Sequence, residues 1–124
     1  MNYRTSLRTA NGLGSAKHGT QHWWLQRVTS VLLLILSYWL VTFLSLCVQA
    51  PFQDTLAWLQ CSVNNVALCG WILAALYHAS LGLQVVIEDY VHSEAAKIIG
   101  IWAIKCGFFG LGLFCVTTLI SITG

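Results

Sequence analysis

Charged residues are scarce in this chain. Of its 124 residues, 8% are charged and 57% are hydrophobic, and the mean hydropathy is +0.73. Ordinary soluble domains contain about 25% charged residues. No Asp, Glu, Lys or Arg occurs between Arg27 and Asp54, between Asp54 and Glu88, or after Lys105. Each gap can hold the roughly 20 apolar residues with which a helix crosses a bilayer. The chain is therefore predicted to be a membrane protein, with no nucleic-acid partner.

The apolar runs predict three transmembrane helices, at residues 28–48, 63–87 and 98–122. The only proline, Pro51, follows the first span, where it can end a helix without breaking one. Alternating apolar and polar residues are absent, which argues against a transmembrane barrel. The predicted fold is all-α, with an N-terminal arm and helix entry at residues 1–27 and a three-helix anchor domain at residues 28–124.

Acidic residues are missing from the N-terminal arm, which carries four of the six basic residues: Arg4, Arg8, Lys17 and Arg27. The connection after the first span holds no Lys or Arg, and Lys97 follows the second span. Basic residues favour the cytoplasmic side. We therefore expect the N-terminus inside and the C-terminus outside. The arm fits a segment that faces lipid headgroups, and it also weakly resembles a transit peptide.

The five cysteines show no C-x-x-C spacing and are interpreted as small packing residues. Three helices enclose little interior, so their polar groups and glycine faces need neighbours. In the third span, Ala103 and Gly107 form a small-xxx-small pair that would allow another backbone to come close. An obligate membrane partner is expected.

One histidine, His78, lies deep within a predicted span, in the run "LYHASLGLQVVIEDY". On a helix, Ala74, His78 and Gly82 share one face. A small residue on each side of an imidazole makes a flat recess, which is what a helix needs when its histidine ligates a haem. The alternative is a neutral imidazole hydrogen-bonded to a neighbouring helix. Because no other histidine falls inside a span, a second axial ligand would come from another chain.

The same run ends with Glu88, Asp89 and Tyr90, where the helix leaves the hydrocarbon. Asp89 is predicted to lie on the face of His78, about 16 Å away at 1.5 Å per residue. Quinone reduction consumes protons as well as electrons, so a hydrogen-bond donor and a proton carrier are useful there. Glu88 is also typical of a solvated helix end. Arg27 and His22 lie at the same level, are predicted to form a small cationic cluster and could neutralise a haem propionate, although Arg27 could also simply reach the headgroups.

Two segments, "YHASLGLQVVIEDYV" at residues 77–91 and "SAKHGTQHWWLQRVTS" at residues 15–30, resemble the hydrophobic membrane-anchor D subunits of succinate dehydrogenase, complex II. The similarity is greatest to alphaproteobacterial and mitochondrial-type members. The H-x3-G-x6-D-Y pattern and the H-W-W-x-Q-R segment support it, together with chain length and the three-span layout.

The resemblance implies a four-subunit enzyme, in which a flavoprotein oxidises succinate and an iron-sulfur protein relays electrons. Two anchor chains hold haem b and reduce ubiquinone, linking the tricarboxylic acid cycle to the respiratory chain. His78 would be one axial haem ligand, and the C anchor subunit would supply the other. Tyr90 would donate to a quinone carbonyl, with Asp89 supporting it, and Arg27 and His22 would lie near the propionates.

The family resemblance implies a multi-pass protein of the bacterial inner membrane or, alternatively, the mitochondrial inner membrane. This chain would carry no catalytic residue of its own. Some members place the histidine of the first segment one residue earlier, where this chain has Gln21. An alternative is a purely structural anchor of a haem-poor quinone oxidoreductase such as fumarate reductase. A small transporter subunit is a third possibility, but the chain has no polar stripe to line a path.

Overall fold

The computed structural model describes residues 19–123, and this part of the chain is built of α-helices without strands. The helices are α1 (Gly19–Gln49), α2 (Phe52–Gln60), α3 (Ser62–Tyr90) and α4 (Glu94–Thr123). α1, α3 and α4 are long and apolar enough to cross a membrane. The predicted all-α fold with three transmembrane helices is confirmed.

Each long helix extends beyond the apolar run that predicted it. α1 begins at Gly19 and so includes the polar stretch before residue 28, α3 runs on to Tyr90, and α4 begins at Glu94. The apolar run marks only the part within the hydrocarbon, whereas the helical hydrogen bonds continue into the headgroup region. Residues 19–27, assigned to the arm and helix entry, are therefore helical. The remainder of the arm, residues 1–18, lies outside the described residues.

Short connections join the helices. α1 ends just before Pro51, whose carbonyl oxygen accepts hydrogen bonds from the amide groups of Asp54 (3.1 Å) and Thr55 (3.3 Å) and so starts α2. α2 is a short helix of nine residues that directly follows the proline. α3 ends where the amide of Val91 donates to the carbonyl of Ile87 (3.0 Å), and α4 follows after three residues. Such tight connections make consecutive transmembrane helices antiparallel neighbours.

α3 is the central helix, and it packs against α1 on one side and α4 on the other. Two glycines of α4 allow close approach to α3. A β-carbon built on Gly112 would lie 3.3 Å from Leu73 Cδ2 and 3.4 Å from Leu76 Cδ1. One built on Gly100 would lie 3.0 Å from Ile87 Cδ1. The α3–α4 contact therefore depends on the absence of side chains at these two positions.

Little of the described chain is buried. Only four hydrophobic side chains form a core, and they are Leu59, Leu68, Ala74 and Leu81. Large apolar side chains are exposed along all three long helices. Exposure of so much apolar surface to water would favour aggregation, whereas in a bilayer this surface faces lipid or neighbouring chains. The burial pattern agrees with the expectation that the chain functions among membrane neighbours.

Candidate functional site

Side-chain hydrogen bonds connect α1 to α3 across their contact. Trp71 Nε1 donates to Ser37 Oγ (3.2 Å). About two helical turns further along α3, Thr29 Oγ1 lies 2.8 Å from His78 Nδ1. Gln26 Nε2 lies 3.3 Å from His78 Nε2. Polar bonds between membrane helices compensate for the cost of placing these groups away from water. His78 is therefore held at both ring nitrogens by α1.

The hydrogen bonds of the Thr29 hydroxyl favour one tautomer of His78. Thr29 Oγ1 lies 2.8 Å from the carbonyl oxygen of Leu25 and donates its only proton along the helix. The oxygen is then left as an acceptor, so Nδ1 of His78 donates to it. A neutral imidazole has one N–H, and Nε2 therefore keeps its lone pair, towards which an N–H of Gln26 points. An unprotonated Nε2 is the form that ligates a metal.

The predicted stripe of Ala74, His78 and Gly82 faces α1 in this structure. Ala74 is buried, His78 is half-buried, and a β-carbon on Gly82 would lie 3.7 Å from Gln26 Nε2. The recess is thus covered by the Gln26 side chain and is not an open surface. The expected alternative, an imidazole hydrogen-bonded to a neighbouring helix, describes the contacts of His78 here. Those contacts do not exclude ligation, because the Thr29 bond uses only Nδ1.

The donor chemistry around His78 fits one half of an axial haem site. In the tautomer that Thr29 favours, Nε2 is an unprotonated imidazole nitrogen within a membrane-spanning helix, and the amide in front of it is weakly held. Gln26 Oε1 is buried without a hydrogen-bond partner among residues 19–123, so turning this side chain away breaks only the 3.3 Å contact within that part of the chain. Within residues 19–123, no group of three or more His, Cys, Asp or Glu residues could hold a metal ion.

The residues predicted at the inner end of α3 are accessible. Tyr90 is the last residue of α3 and is 77% exposed, and Asp89 beside it is also exposed. Glu88 accepts a hydrogen bond from Gln84 Nε2 (2.7 Å) one turn earlier, as a solvated helix end would. The carboxylate and phenol are therefore free to contact a molecule outside this chain.

His22 and Arg27 do not form the cationic cluster that the sequence predicted. Arg27 is exposed, and its guanidinium carbon lies 5.3 Å from the ring centre of Trp23. His22 instead faces a cleft of about 980 Å³ between the start of α1, α3 and α4. The two residues are five positions apart, which on a helix separates them by about 140°. Helix geometry explains why proximity in sequence did not bring them together.

The cleft is mostly apolar, with a polar end formed by side chains from three helices: Gln21, His22, Gln84, Glu88 and Lys105. His22 Nε2 is buried and has no hydrogen-bond partner among the described residues. The other predicted site residues do not line this cleft: Arg27, Ala74, His78, Gly82, Asp89 and Tyr90. The polar cleft and the His78 contacts therefore lie on different faces of α3.

Sequence reasoning did not identify the α1 side chains that contact His78. Gln26 and Thr29 lie four and seven residues after His22, which is the spacing of one helical face. A polar stripe of this period within the entry to an apolar helix was the available signal. The prediction for this segment used only His22, Arg27 and the H-W-W-x-Q-R pattern, and it did not include this stripe. Ser37 carried no such signal, since a lone serine bonds its own helix backbone equally well.

Comparison with known proteins gives a consistent match. Residues 1–119 match the model of the succinate dehydrogenase/fumarate reductase transmembrane subunit family. The succinate dehydrogenase hydrophobic membrane anchor subunit of Rickettsia bellii is 35% identical over 96% of this chain and 90% of its own length. The anchor subunit of Reclinomonas americana is 30% identical over 72% of this chain and 77% of its own. That of Paracoccus denitrificans is 26% identical over 87% and 84%. No solved structure gives a significant match.

Proposed function

Because the chain belongs to the succinate dehydrogenase/fumarate reductase transmembrane subunit family, we propose that it anchors succinate:ubiquinone oxidoreductase, shares a b-type haem and contributes to ubiquinone reduction. It is a multi-pass inner-membrane protein whose homologues are subunits of an enzyme complex. The expected resemblance to alphaproteobacterial and mitochondrial-type anchors is confirmed. The chemistry assigned to individual residues is the proposed part.

The haem role rests on one observation, the hydrogen bonding of His78 in the middle helix, which favours a tautomer with an unprotonated Nε2. Thr29 occupies Nδ1 at 2.8 Å, which leaves Nε2 as the nitrogen available to iron. A bound b-type haem supplies a one-electron carrier within the membrane. Ala74 and Gly82 are assigned to the haem pocket as the small residues beside His78 on one helix face, and a turn of the Gln26 side chain would uncover Gly82. The second axial ligand is assigned to a second membrane anchor, the C subunit.

The quinone role is assigned to the exposed end of α3. Ubiquinone is lipid-soluble and takes up two protons when it is reduced, so its site needs access both to the bilayer and to a source of protons. Tyr90 can donate its phenolic hydrogen to a quinone carbonyl, and Asp89 next to it can orient a water molecule or a partner's cationic group. Both side chains are exposed, as an external substrate requires.

Two side chains could interact with the negatively charged haem propionates. The exposed guanidinium of Arg27 is suited to carboxylates, with which arginine forms paired hydrogen bonds. His22 offers a buried Nε2 without a hydrogen-bond partner in the described part of the chain, although it faces the α3–α4 cleft. Of the two, Arg27 is the better placed for a group approaching His78 from outside the chain, because it does not face that cleft.

The orientation follows from the basic residues, which favour an inside N-terminus. The inner end of α3, with Asp89 and Tyr90, would then face the iron-sulfur subunit, and the flavoprotein would bind beyond it. The many exposed apolar side chains would contact lipid and the C subunit. Contacts with lipid and with the C subunit both suit the apolar surface of the membrane-spanning helices.

Purification through an affinity tag on the C-terminus of this chain tests the proposal. We expect a flavoprotein, an iron-sulfur protein and a second anchor to co-purify, with one b-type haem per tagged chain by pyridine haemochromogen assay. A complete complex without haem would contradict the haem role and favour a structural anchor of a haem-poor enzyme such as fumarate reductase. Recovery of the tagged chain alone from gently solubilised membranes would contradict the role as a subunit.

A further inference from the structure

We propose that Thr29 is a positioning residue for the haem ligand, because its hydroxyl oxygen fixes the tautomer and the ring orientation of His78. This inference rests on the proposed role of His78 as an axial ligand. Thr29 is 7% exposed, and its Oγ1 lies 2.8 Å from His78 Nδ1. It contributes nothing directly to iron, and it acts only through the histidine.

The hydroxyl of Thr29 can accept but is not free to donate towards His78. Its single proton points to the Leu25 carbonyl oxygen at 2.8 Å, with the Gln26 carbonyl oxygen at 3.1 Å as a second acceptor. This bond within the helix also fixes the side-chain rotamer of a β-branched residue. The acceptor oxygen is therefore held in one place opposite Nδ1.

Gln26, the other neighbour of His78, cannot select the tautomer. Its amide nitrogen can donate to an unprotonated Nε2, and after a 180° turn of the amide its oxygen can accept from a protonated Nε2. In the described part of the chain, Oε1 has no competing hydrogen-bond partner that would oppose this turn. Thr29 is thus the neighbour whose hydrogen bonding favours the proton on Nδ1. Without its oxygen, the imidazole could protonate at Nε2 and would no longer present a lone pair to iron.

The bond to Thr29 should also affect the electronic properties of the ligand. A histidine that donates its remote N–H to an oxygen becomes a more basic ligand, and loss of such a partner typically weakens metal binding about 10- to 100-fold. A more basic ligand favours the oxidised iron. Removal of the hydroxyl oxygen should therefore raise the haem midpoint potential and loosen the haem.

The test compares three variants of the purified complex. Thr29→Val keeps the branched shape and loses the oxygen, and Thr29→Ser retains a hydroxyl. Thr42→Val is the matched control, because Thr42 makes the same 2.8 Å bond to the carbonyl four residues earlier on the same helix, at Tyr38. The measurements are haem transfer to apomyoglobin, the midpoint potential, and the low-spin ferric signal in electron paramagnetic resonance.

For Thr29→Val we expect haem loss about 10- to 100-fold faster than in the parent complex, a higher potential, and a shifted ferric signal. Thr29→Ser should restore all three towards parental values, and Thr42→Val should change none of them. Parental values in Thr29→Val would overturn the inference. The same changes in Thr42→Val would also overturn it, because they would reflect general loosening of α1.

Two further measurements keep the result decisive. His78→Leu distinguishes failure of the inference from failure of the proposed function. If that variant loses the haem signal while Thr29→Val does not, only the positioning role is wrong, and if it keeps the signal, His78 is not a ligand. Should Thr29→Val not assemble, Thr29→Cys substitutes a weakly accepting sulfur of similar size. Remote-nitrogen couplings identical to those of the parent, measured by electron spin-echo envelope modulation, would then overturn the inference.

Discussion

Substitution of Gly112 by valine should weaken the contact between α3 and α4. Gly112 is buried, and its β-carbon would already lie 3.3 Å from Leu73 Cδ2 and 3.4 Å from Leu76 Cδ1. The first distance is shorter than an ordinary van der Waals contact and the second is at its lower limit, and valine adds two methyl groups one bond further out. Inserting carbons into a packed contact typically costs about 1–3 kcal/mol. The replacement should therefore lower the thermal stability of the complex in detergent, measured by fluorescence-detected size exclusion after heating.

A second substitution in the neighbouring helix provides the control for this prediction. Leu73 is 47% exposed, and Leu73→Ala removes the branch closest to the new methyl groups. Alone it should destabilise the complex modestly. Combined with Gly112→Val it should relieve the overlap, with a favourable coupling of at least about 0.5 kcal/mol in a double-mutant cycle. Strictly additive effects would refute the described packing of Gly112 against Leu73.

The proposed site and the α1–α3 contact lead to two further predictions. Tyr90→Phe should lower ubiquinone reductase activity about two- to tenfold, which is the effect of losing one hydrogen bond. Succinate oxidation with an artificial acceptor at the flavoprotein should persist. Equal loss of both activities would indicate misassembly and contradict the quinone role. Trp71→Phe removes the donor to Ser37 and should cost about 0.6 kcal/mol in the same heating assay. Trp102→Phe, at a 65% exposed position on α4, is its control, and an equal effect there would contradict the hydrogen bond's contribution.

The layout of the fold was predictable because the bilayer imposes a simple rule. Stretches without charge had to be helices long enough to cross the hydrocarbon, and α1, α3 and α4 contain the three predicted spans. Their exact ends were not predictable, since helical hydrogen bonding continues past the last apolar residue. α1 thus starts at Gly19, where the sequence is still polar.

The candidate site was predictable only in part. The spacing of Ala74, His78 and Gly82 identified a helix face, but it could not show that this face turns towards α1 and that Gln26 covers it. That information depends on how the helices rotate about their own axes, which the packing of the whole bundle determines. The separation of His22 from Arg27, by contrast, follows from their five-residue spacing on a single helix and does not depend on the bundle.

Some of what the site needs lies beyond a single chain. His78 offers one nitrogen, Tyr90 and Asp89 are exposed, and a large apolar surface is uncovered. A single sequence contains the groups that a shared site contributes but not the surfaces that complete it. Polar side chains that lack enough partners within this chain are therefore the features that best indicate a site shared with another chain.

The central claim, that His78 ligates a haem, is tested most directly by a reduced-minus-oxidised absorption spectrum of the purified complex carrying His78→Leu. His92→Leu is the matched control, since His92 is an exposed histidine that follows α3. We predict that the α band of the b-type haem is lost or shifted in His78→Leu and unchanged in His92→Leu. An α band in His78→Leu with the position and intensity of the parent complex would show that this histidine is not a haem ligand.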